Sequence, residues 1–169
     1  RLGGSNYFTY KDQMISWAED DESIDLLFRP HPLALQHYVE TGLMSEEEQR
    51  MYLERYKKCP NTIVDQTRDY FDTFFSSDCL ITDISSMIME YLYTGKPVVY
   101  CSSPEDNNIS IPELLQCLYV VKSFDEIQET VAQLREGNDP KKVMREQLAR
   151  KLKPGNTTAS LLILREIKK

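Results

Sequence analysis

Short apolar runs alternate along the chain with segments of helical spacing. Mainly apolar runs at 24–28, which include Asp25, and at 79–82 predict strands buried on both faces, and the run at 97–100 predicts a third strand. Shorter apolar runs at 62–64 and 118–121 predict two more strands. Two prolines follow the first run and prevent the loop after it from becoming helical.

Helical segments fill the intervals between these runs. Two serines followed by glutamate three residues later, Ser45 with Glu48 and Ser123 with Glu126, predict capping boxes at helix starts. Gly95 predicts the end of a helix before the third strand. The predicted helices lie at 9–20, 33–40, 45–58, 70–75, 86–93, 112–116, 123–135, 140–152 and about 156–168.

Continuous apolar strands that alternate with helices are typical of a parallel sheet covered on both faces. The predicted fold class is therefore α/β, with a doubly wound parallel sheet. At 169 residues the chain is long enough for one well-buried core and short for two large domains, so we expect 1–169 to form a single domain. Its first six residues read as a loop without an initiator methionine, which indicates a fragment of a longer protein.

The net charge, the cysteines and the length of the apolar runs argue against several classes of protein. The net charge of −7 at pH 7 argues against broad binding to nucleic acid, which needs clustered Lys and Arg. The four cysteines form no C-x-x-C pair and no Cys/His cluster, so they indicate neither a zinc site nor a redox motif and favour a reduced cytosolic setting. No apolar run reaches the roughly 18–20 residues of a membrane span, so we expect a soluble chain.

Residues that directly follow the predicted strands are the candidates for chemistry, because ligands of doubly wound sheets bind beyond the carboxyl ends of strands. After the run at 79–82, Ser85 or Ser86 can cap the next helix. The free N–H groups of that helix and the two hydroxyls can bind a phosphate. Glu90, one turn further along the same face, could accept hydrogen bonds from ribose hydroxyls.

The first strand end carries Arg29 and His31, the latter held between two prolines. A rigid backbone and a side chain that titrates near neutrality suit a catalytic or phosphate-binding position. Structural explanations stay open, since Asp and Ser are preferred helix caps and His31 could be merely exposed. Arg29 could also pair with Asp25 or Asp83 instead of a ligand.

Two motifs in this order carry a family resemblance. F-R-P-H-P at 28–32, followed about fifty residues later by S-D-C-L-I-T-D-I-S-S-x-x-x-E-Y-L-Y-T-G-K-P-V-V-Y at 77–100, resembles the C-terminal half of the CDP-glycerol glycerophosphotransferase family, the teichoic-acid polymerases and primases. The tail P-G-N-T-T-A-S at 154–160 is similar to the family's Asp-Gly-x-Ala-Ser ending. The resemblance covers nearly the whole chain.

The resemblance implies a GT-B architecture, in which two Rossmann-like domains flank the active site and this chain is the C-terminal, donor-binding domain. By the same resemblance, His31 contacts the donor phosphates and helps the transfer, which makes it the catalytic residue. The positions matched to donor phosphate or nucleotide binding are Arg29, Asp83, Ser85, Ser86 and Glu90.

The implied reaction starts from CDP-glycerol or a similar nucleotide donor. A hydroxyl of a polymer or lipid-linked acceptor attacks the β-phosphorus and CMP leaves, with no metal or other cofactor expected. The family's second histidine, in a His-Gly-x-x-x-Lys-like segment, is not found here, so the partner would be the N-terminal half of the same protein and the isolated fragment would be inactive. The expected location is the cytoplasm, at the inner face of the membrane through the missing portion.

Two other functions stay open. A GT-B sugar-nucleotide glycosyltransferase or epimerase uses a similar Ser/Gly-rich helix start and a ribose-binding glutamate, and a preference for CDP over UDP or GDP would separate the two enzymes. In a non-catalytic binding or interaction module the helix start would only be capped, and Ser86 and His31 would contribute nothing to nucleotide affinity.

Overall fold

The computed structural model describes residues 6–103 and 112–152, together with Ile167. Within this part of the chain helices alternate with short parallel strands, so the predicted α/β class is confirmed. The described residues fall into two compact units, Asn6–Ser77 and a second unit that begins at Asp78. The expectation of one domain over 1–169 stays a prediction.

The first unit, Asn6–Ser77, is built on a pair of parallel strands. Its elements are α1 Tyr7–Asp20, β1 Leu26–Phe28, α2 Ala34–Glu40, α3 Glu46–Lys58, β2 Thr62–Val64 and α4 Phe71–Ser76. Phe28, the last residue of β1, pairs with Val64, the last residue of β2. Because the two parallel strands end in register, the residues that follow them lie side by side at one edge of this sheet.

Aromatic side chains fill much of the core of the first unit. Linked ring contacts, which we call the aromatic cluster, join the buried Tyr52 and Tyr56 of α3 to Tyr7 of α1 and Phe28 of β1, and Tyr38 of α2 joins the cluster through the ring of Tyr7. The ring centroids of Tyr7 and Tyr38 are 5.1 Å apart, as are those of Phe28 and Tyr56. Burial raises the pKa of Tyr56 to about 12, because an ionised phenol would be poorly solvated there.

The second unit contains three parallel strands in the order β3-β4-β5. Its elements are β3 Leu80–Thr82, α5 Met87–Tyr91, a 3₁₀ turn Leu92–Thr94, β4 Val98–Cys101, α6 Pro112–Cys117, β5 Tyr119–Val121, α7 Phe124–Arg135 and α8 Lys142–Leu152. Central strand β4 is buried at every residue. Among all described elements no bound differs from its predicted position by more than two residues.

The predicted burial of the strands at 24–28 and 79–82 on both faces is wrong. All residues of β1 and β3 are only half-buried. Within the described residues β1 pairs with β2 alone and β3 with β4 alone, so each has one unpaired side. Because the parallel strands lie in sheets of two and three strands, a doubly wound sheet stays a prediction.

Local signals set the helix ends. Ser45 forms the predicted capping box, since its Oγ accepts from the N–H of Glu48 at 3.1 Å and the Glu48 carboxylate accepts from the N–H of Ser45 at 2.7 Å. Ser123 Oγ caps α7 in the same way, but the Glu126 carboxylate accepts from the N–H of Lys122 instead. The predicted last helix, about 156–168, lies outside the described residues except for Ile167.

The fully buried Arg145 links α8 to Gly95 and to Asp139 within the second unit. Arg145 has 0% of its surface exposed, and its Nε donates to the carbonyl of Gly95 at 2.8 Å. Its guanidinium pairs with Asp139, which also accepts from the hydroxyl of Tyr119 at 2.7 Å. Burial alone would raise the pKa of Asp139, but the bonds from Arg145 and Tyr119 outweigh it and hold that pKa below the usual value.

Gly95 ends the helical segment that begins at Met87, as predicted. It adopts a left-handed conformation with φ of 75°, which is sterically unfavourable for residues other than glycine.

None of the described helices is long and apolar enough to cross a bilayer.

Candidate functional site

The end of the β1–β2 sheet places Arg29 beside Asp65. Each residue directly follows a paired strand residue, and the N–H of Asp65 donates to the carbonyl of Phe28 at 2.9 Å. The ladder therefore continues one step past the strands and brings the two side chains to one edge.

Arg29 is held by several contacts at this edge. Its Nη1 donates to Asp65 Oδ2 at 2.5 Å and to Thr67 Oγ1 at 3.3 Å, and its Nη2 donates to the Thr67 carbonyl at 2.7 Å. The guanidinium also lies over the ring of Tyr70, 5.7 Å from its centroid. Arg29 does form an ion pair, but with Asp65 rather than with either aspartate considered from the sequence.

Asp65 is a buried carboxylate with more donors than Arg29 alone. Its side chain is 8% exposed and accepts from the N–H of Thr67 at 2.9 Å, from Thr67 Oγ1 at 2.7 Å and from Thr73 Oγ1. Burial by itself would raise the pKa of Asp65, but the hydrogen bonds from Thr73, Thr67 and Arg29 are stronger and hold the pKa well below its usual range. Asp65 is therefore ionised at neutral pH.

His31 lies two residues beyond Arg29 with an exposed side chain. The N–H of Leu33 donates to His31 Nδ1 at 3.3 Å, and the N–H of Ala34 donates to the His31 carbonyl at 2.8 Å. A neutral imidazole that accepts at Nδ1 carries its hydrogen on Nε2, so the ring can donate from Nε2 to an anion.

At the end of β3 the two serines have different environments. Ser85 Oγ accepts from the N–H of Met87 at 3.1 Å, so Ser85 supplies the side-chain cap of α5. Ser86 is exposed and makes no side-chain cap bond in the described structure. Both hydroxyls keep an O–H hydrogen with which to donate.

The backbone at the start of α5 corrects the expectation of free N–H groups. The N–H of Ile88 donates to the Ser85 carbonyl at 3.3 Å and that of Met89 to the Ser86 carbonyl at 3.2 Å. Together with the bond to Ser85 Oγ, these contacts occupy three N–H groups of the first turn. Since α5 has only five residues, its dipole is also small, and anion binding here would depend on the hydroxyls.

Glu90 and Asp83 complete the predicted set. Glu90 is exposed on α5, four residues after the exposed Ser86, so the two share one face of the helix as the sequence spacing indicates. Asp83 is half-buried directly after β3. Among the described residues no group of three or more His, Cys, Asp or Glu is placed to hold a metal ion.

The predicted site residues are divided between the units. Arg29 and His31 belong to Asn6–Ser77, whereas Asp83 and the residues after it belong to the unit that begins at Asp78. Sequence reasoning missed Asp65 and Thr67 as partners of Arg29. Asp65 was recognisable as a strand-end residue, but the register that brings it beside Arg29 is a tertiary feature.

Comparison with known families gives one match. The family model of CDP-glycerol:poly(glycerophosphate) glycerophosphotransferase matches residues 6–107, a range that includes both strand-end motifs. No curated protein sequence and no solved structure matches the chain.

Proposed function

The chain belongs to the CDP-glycerol:poly(glycerophosphate) glycerophosphotransferase family, and on that basis we propose that it is the donor-binding domain of such a transferase. The family assignment confirms the resemblance carried by the two motifs. One observation carries the proposal: the match spans both the Arg29–His31 turn and the Ser85–Ser86 turn, each at the end of a parallel strand. The parent protein would have a GT-B architecture with a doubly wound sheet in this domain, and would act in teichoic-acid or related cell-envelope biosynthesis.

The proposed reaction is a phosphoryl transfer. An acceptor hydroxyl on a polymer or lipid-linked polysaccharide forms a bond to the β-phosphorus of a CDP-alcohol, and the bridging P–O bond breaks with its electron pair leaving on CMP. The acceptor proton passes to a base on the N-terminal half of the protein. Such transfers depend mainly on positioning and on charge stabilisation of the phosphoryl oxygens.

Arg29 and His31 would supply much of that charge stabilisation. Within the described residues the Nε hydrogen of Arg29 and one hydrogen of its Nη2 have no protein acceptor, and the side chain is 20% exposed. These two N–H groups match the geometry of a phosphate with two oxygens in reach. His31 adds a hydrogen-bond donor at Nε2, which can stabilise negative charge on the leaving CMP.

The second strand end would contribute hydroxyl donors. We assign Ser86 to a donor phosphate because its hydroxyl is exposed and makes no cap bond. Ser85 holds the start of α5 and can donate its remaining O–H hydrogen. We also assign Asp83, half-buried directly after β3, to the donor site at this strand end. Glu90, on the same helix face as Ser86, would accept from the ribose hydroxyls.

We propose that the positive charge of Arg29, together with hydrogen bonds donated by His31 and the serines, makes the transfer independent of a metal ion. Affinity for CDP should therefore be unchanged when the titration is repeated in EDTA, and a loss of affinity in EDTA would contradict the metal-free arrangement.

We also propose that the protein works in the cytoplasm, at the inner face of the membrane, which it would reach through other parts of the parent protein.

Calorimetry with CDP and cytidine tests the proposed function. CDP should bind more tightly than cytidine, and Ser86→Ala should reduce that preference by about tenfold, because a hydrogen bond to a charged group contributes roughly 1.5–3 kcal/mol. Ser76→Ala, at an exposed serine of α4, is the matched control and should leave the preference unchanged. Equal affinities for CDP and cytidine would contradict the proposal, and tighter binding of UDP or GDP would favour a sugar-nucleotide enzyme.

A further inference from the structure

The geometry points to Asp65 as a positioning residue for donor phosphate binding: it fixes the guanidinium of Arg29 at the sheet edge so that Nε and one Nη2 hydrogen remain for the phosphate. This inference rests on the proposed function, since it requires Arg29 to bind the donor. Asp65 itself would touch neither the donor nor the acceptor.

Backbone and side-chain contacts at the sheet edge combine to fix Arg29. The parallel ladder sets the backbone positions, because the N–H of Asp65 bonds to the carbonyl of Phe28. Two further groups then hold the guanidinium in one plane, the Asp65 carboxylate at Nη1 and the Thr67 carbonyl at Nη2. Contacts to two different nitrogens determine the orientation of a planar group, which one contact cannot do.

The Asp65 carboxylate could in principle compete with a phosphate for Arg29. Its other contacts argue against this, because the N–H and hydroxyl of Thr67 and the hydroxyl of Thr73 also donate to Asp65. A buried carboxylate with three such donors stays satisfied when the guanidinium shares its charge with a phosphate. Asp65 therefore holds Arg29 in place without needing to be displaced.

An exposed ion pair would not have this property. The Arg55 guanidinium, for example, pairs with Glu19, whose side chain is 37% exposed, and water can replace either partner there. At Asp65 the exposed fraction is 8%, so the pair with Arg29 is much less screened. The difference in burial is why the Asp65 pair, rather than an ordinary surface pair, can control the position of Arg29.

The test compares CDP and cytidine affinities by calorimetry for the wild-type chain, Asp65→Asn, Arg29→Ala and the double variant. Asp65→Asn should weaken CDP binding by about fivefold to tenfold and leave cytidine binding unchanged, because one charge-assisted contact to Arg29 is lost. In the Arg29→Ala background the same substitution should change CDP affinity by less than about twofold, since it acts through Arg29.

Two controls separate positioning from loss of structure. Ile15→Val, in the core of the same unit, lowers stability without touching this network and should keep the CDP to cytidine ratio of the wild type. Thr67→Val removes the hydroxyl that contacts both Asp65 and Arg29, and should lower the ratio by about twofold to threefold. This variant decides the question if Asp65→Asn does not fold.

The outcomes are distinguishable. A wild-type chain that binds CDP and cytidine equally overturns the proposed function. A wild-type preference for CDP that Asp65→Asn and Thr67→Val both keep overturns the role of Asp65 alone. Asp65→Asn could also reduce the preference for CDP as much in the Arg29→Ala background as in the wild type. That result overturns the role as well, because Asp65 would then act by a route other than Arg29.

Discussion

Replacing the buried Arg145 by methionine should be among the most destabilising single changes in the second unit. Methionine approximates the length of the side chain, but it leaves the Asp139 carboxylate with the Tyr119 hydroxyl and the backbone N–H of Lys141, and it removes the donor to the Gly95 carbonyl. Removing one partner of a buried ion pair costs about 3–5 kcal/mol. We expect the lower end, about 3 kcal/mol, because the Asp139 side chain is 16% exposed and can recruit water.

Thermal unfolding followed by far-UV circular dichroism measures this effect. For a chain of this size each kcal/mol shifts Tm by roughly 2–4 °C, so Arg145→Met should lower Tm by roughly 6–12 °C. Arg150→Met is the matched control on the same helix. The Arg150 side chain is 78% exposed, and its Nη2 forms a surface ion pair with Glu146 Oε2 at 3.7 Å. That change should stay within about 1 °C of the wild type.

A double-mutant cycle then isolates the ion pair. Asp139→Asn alone should also be destabilising, since it removes the negative charge that faces the buried Arg145 guanidinium. Arg145→Met combined with Asp139→Asn should cost clearly less than the sum of the single changes. A Tm for Arg145→Met equal to that of Arg150→Met, or strict additivity in the cycle, would refute the reasoning.

Two further predictions concern the turn after β1 and the aromatic cluster. His31→Ala in the full-length enzyme should lower turnover by on the order of 10²-fold, typical of a lost positioned donor, and near-normal turnover in a steady-state assay would remove His31 from the mechanism. The urea midpoint of the wild-type chain should fall as pH rises from about 10 to about 12, because the raised pKa of Tyr56 stabilises the fold below pH 10 and that contribution is lost through its folded pKa. Tyr56→Phe should make this fall smaller but not remove it, because burial also raises the pKa values of Tyr7 and Tyr52. An equally large fall of the midpoint in both proteins would contradict the assignment to Tyr56.

The elements that sequence reasoning placed well are those fixed by local signals. Ser45 and Glu48 form a capping box within one turn, and Gly95 ends a helix by its own backbone conformation. The contacts that it missed join residues far apart in the chain, as Arg29 does with Asp65 and Arg145 with Gly95. No periodic pattern in the sequence marks either pairing, because the pairings depend on strand register and on helix packing.

At the candidate site, too, the features visible in the sequence are local, and those that depend on the three-dimensional backbone are not. The motifs at 28–32 and 83–86 were recognisable as strand ends, since an apolar run followed by a break is visible in the sequence. Which serine supplies the cap was not recognisable, because Ser85 and Ser86 are chemically equivalent caps and only the backbone geometry separates them. The same geometry occupies the N–H groups of Ile88 and Met89, which spacing alone would leave free.

The aromatic cluster contributes to the near-UV circular dichroism of the chain, together with the buried Tyr91, Tyr100 and Tyr119 of the second unit. Rings held in fixed orientations produce near-UV circular dichroism, and this signal is lost when packing loosens even if the helices persist. The rings of Tyr7, Tyr38 and Tyr52 come from three different helices, so a preserved near-UV spectrum shows that these helices still pack together. Variants at Arg29 or Asp65 can therefore be checked for intact packing without any label, before their affinity for a nucleotide is measured.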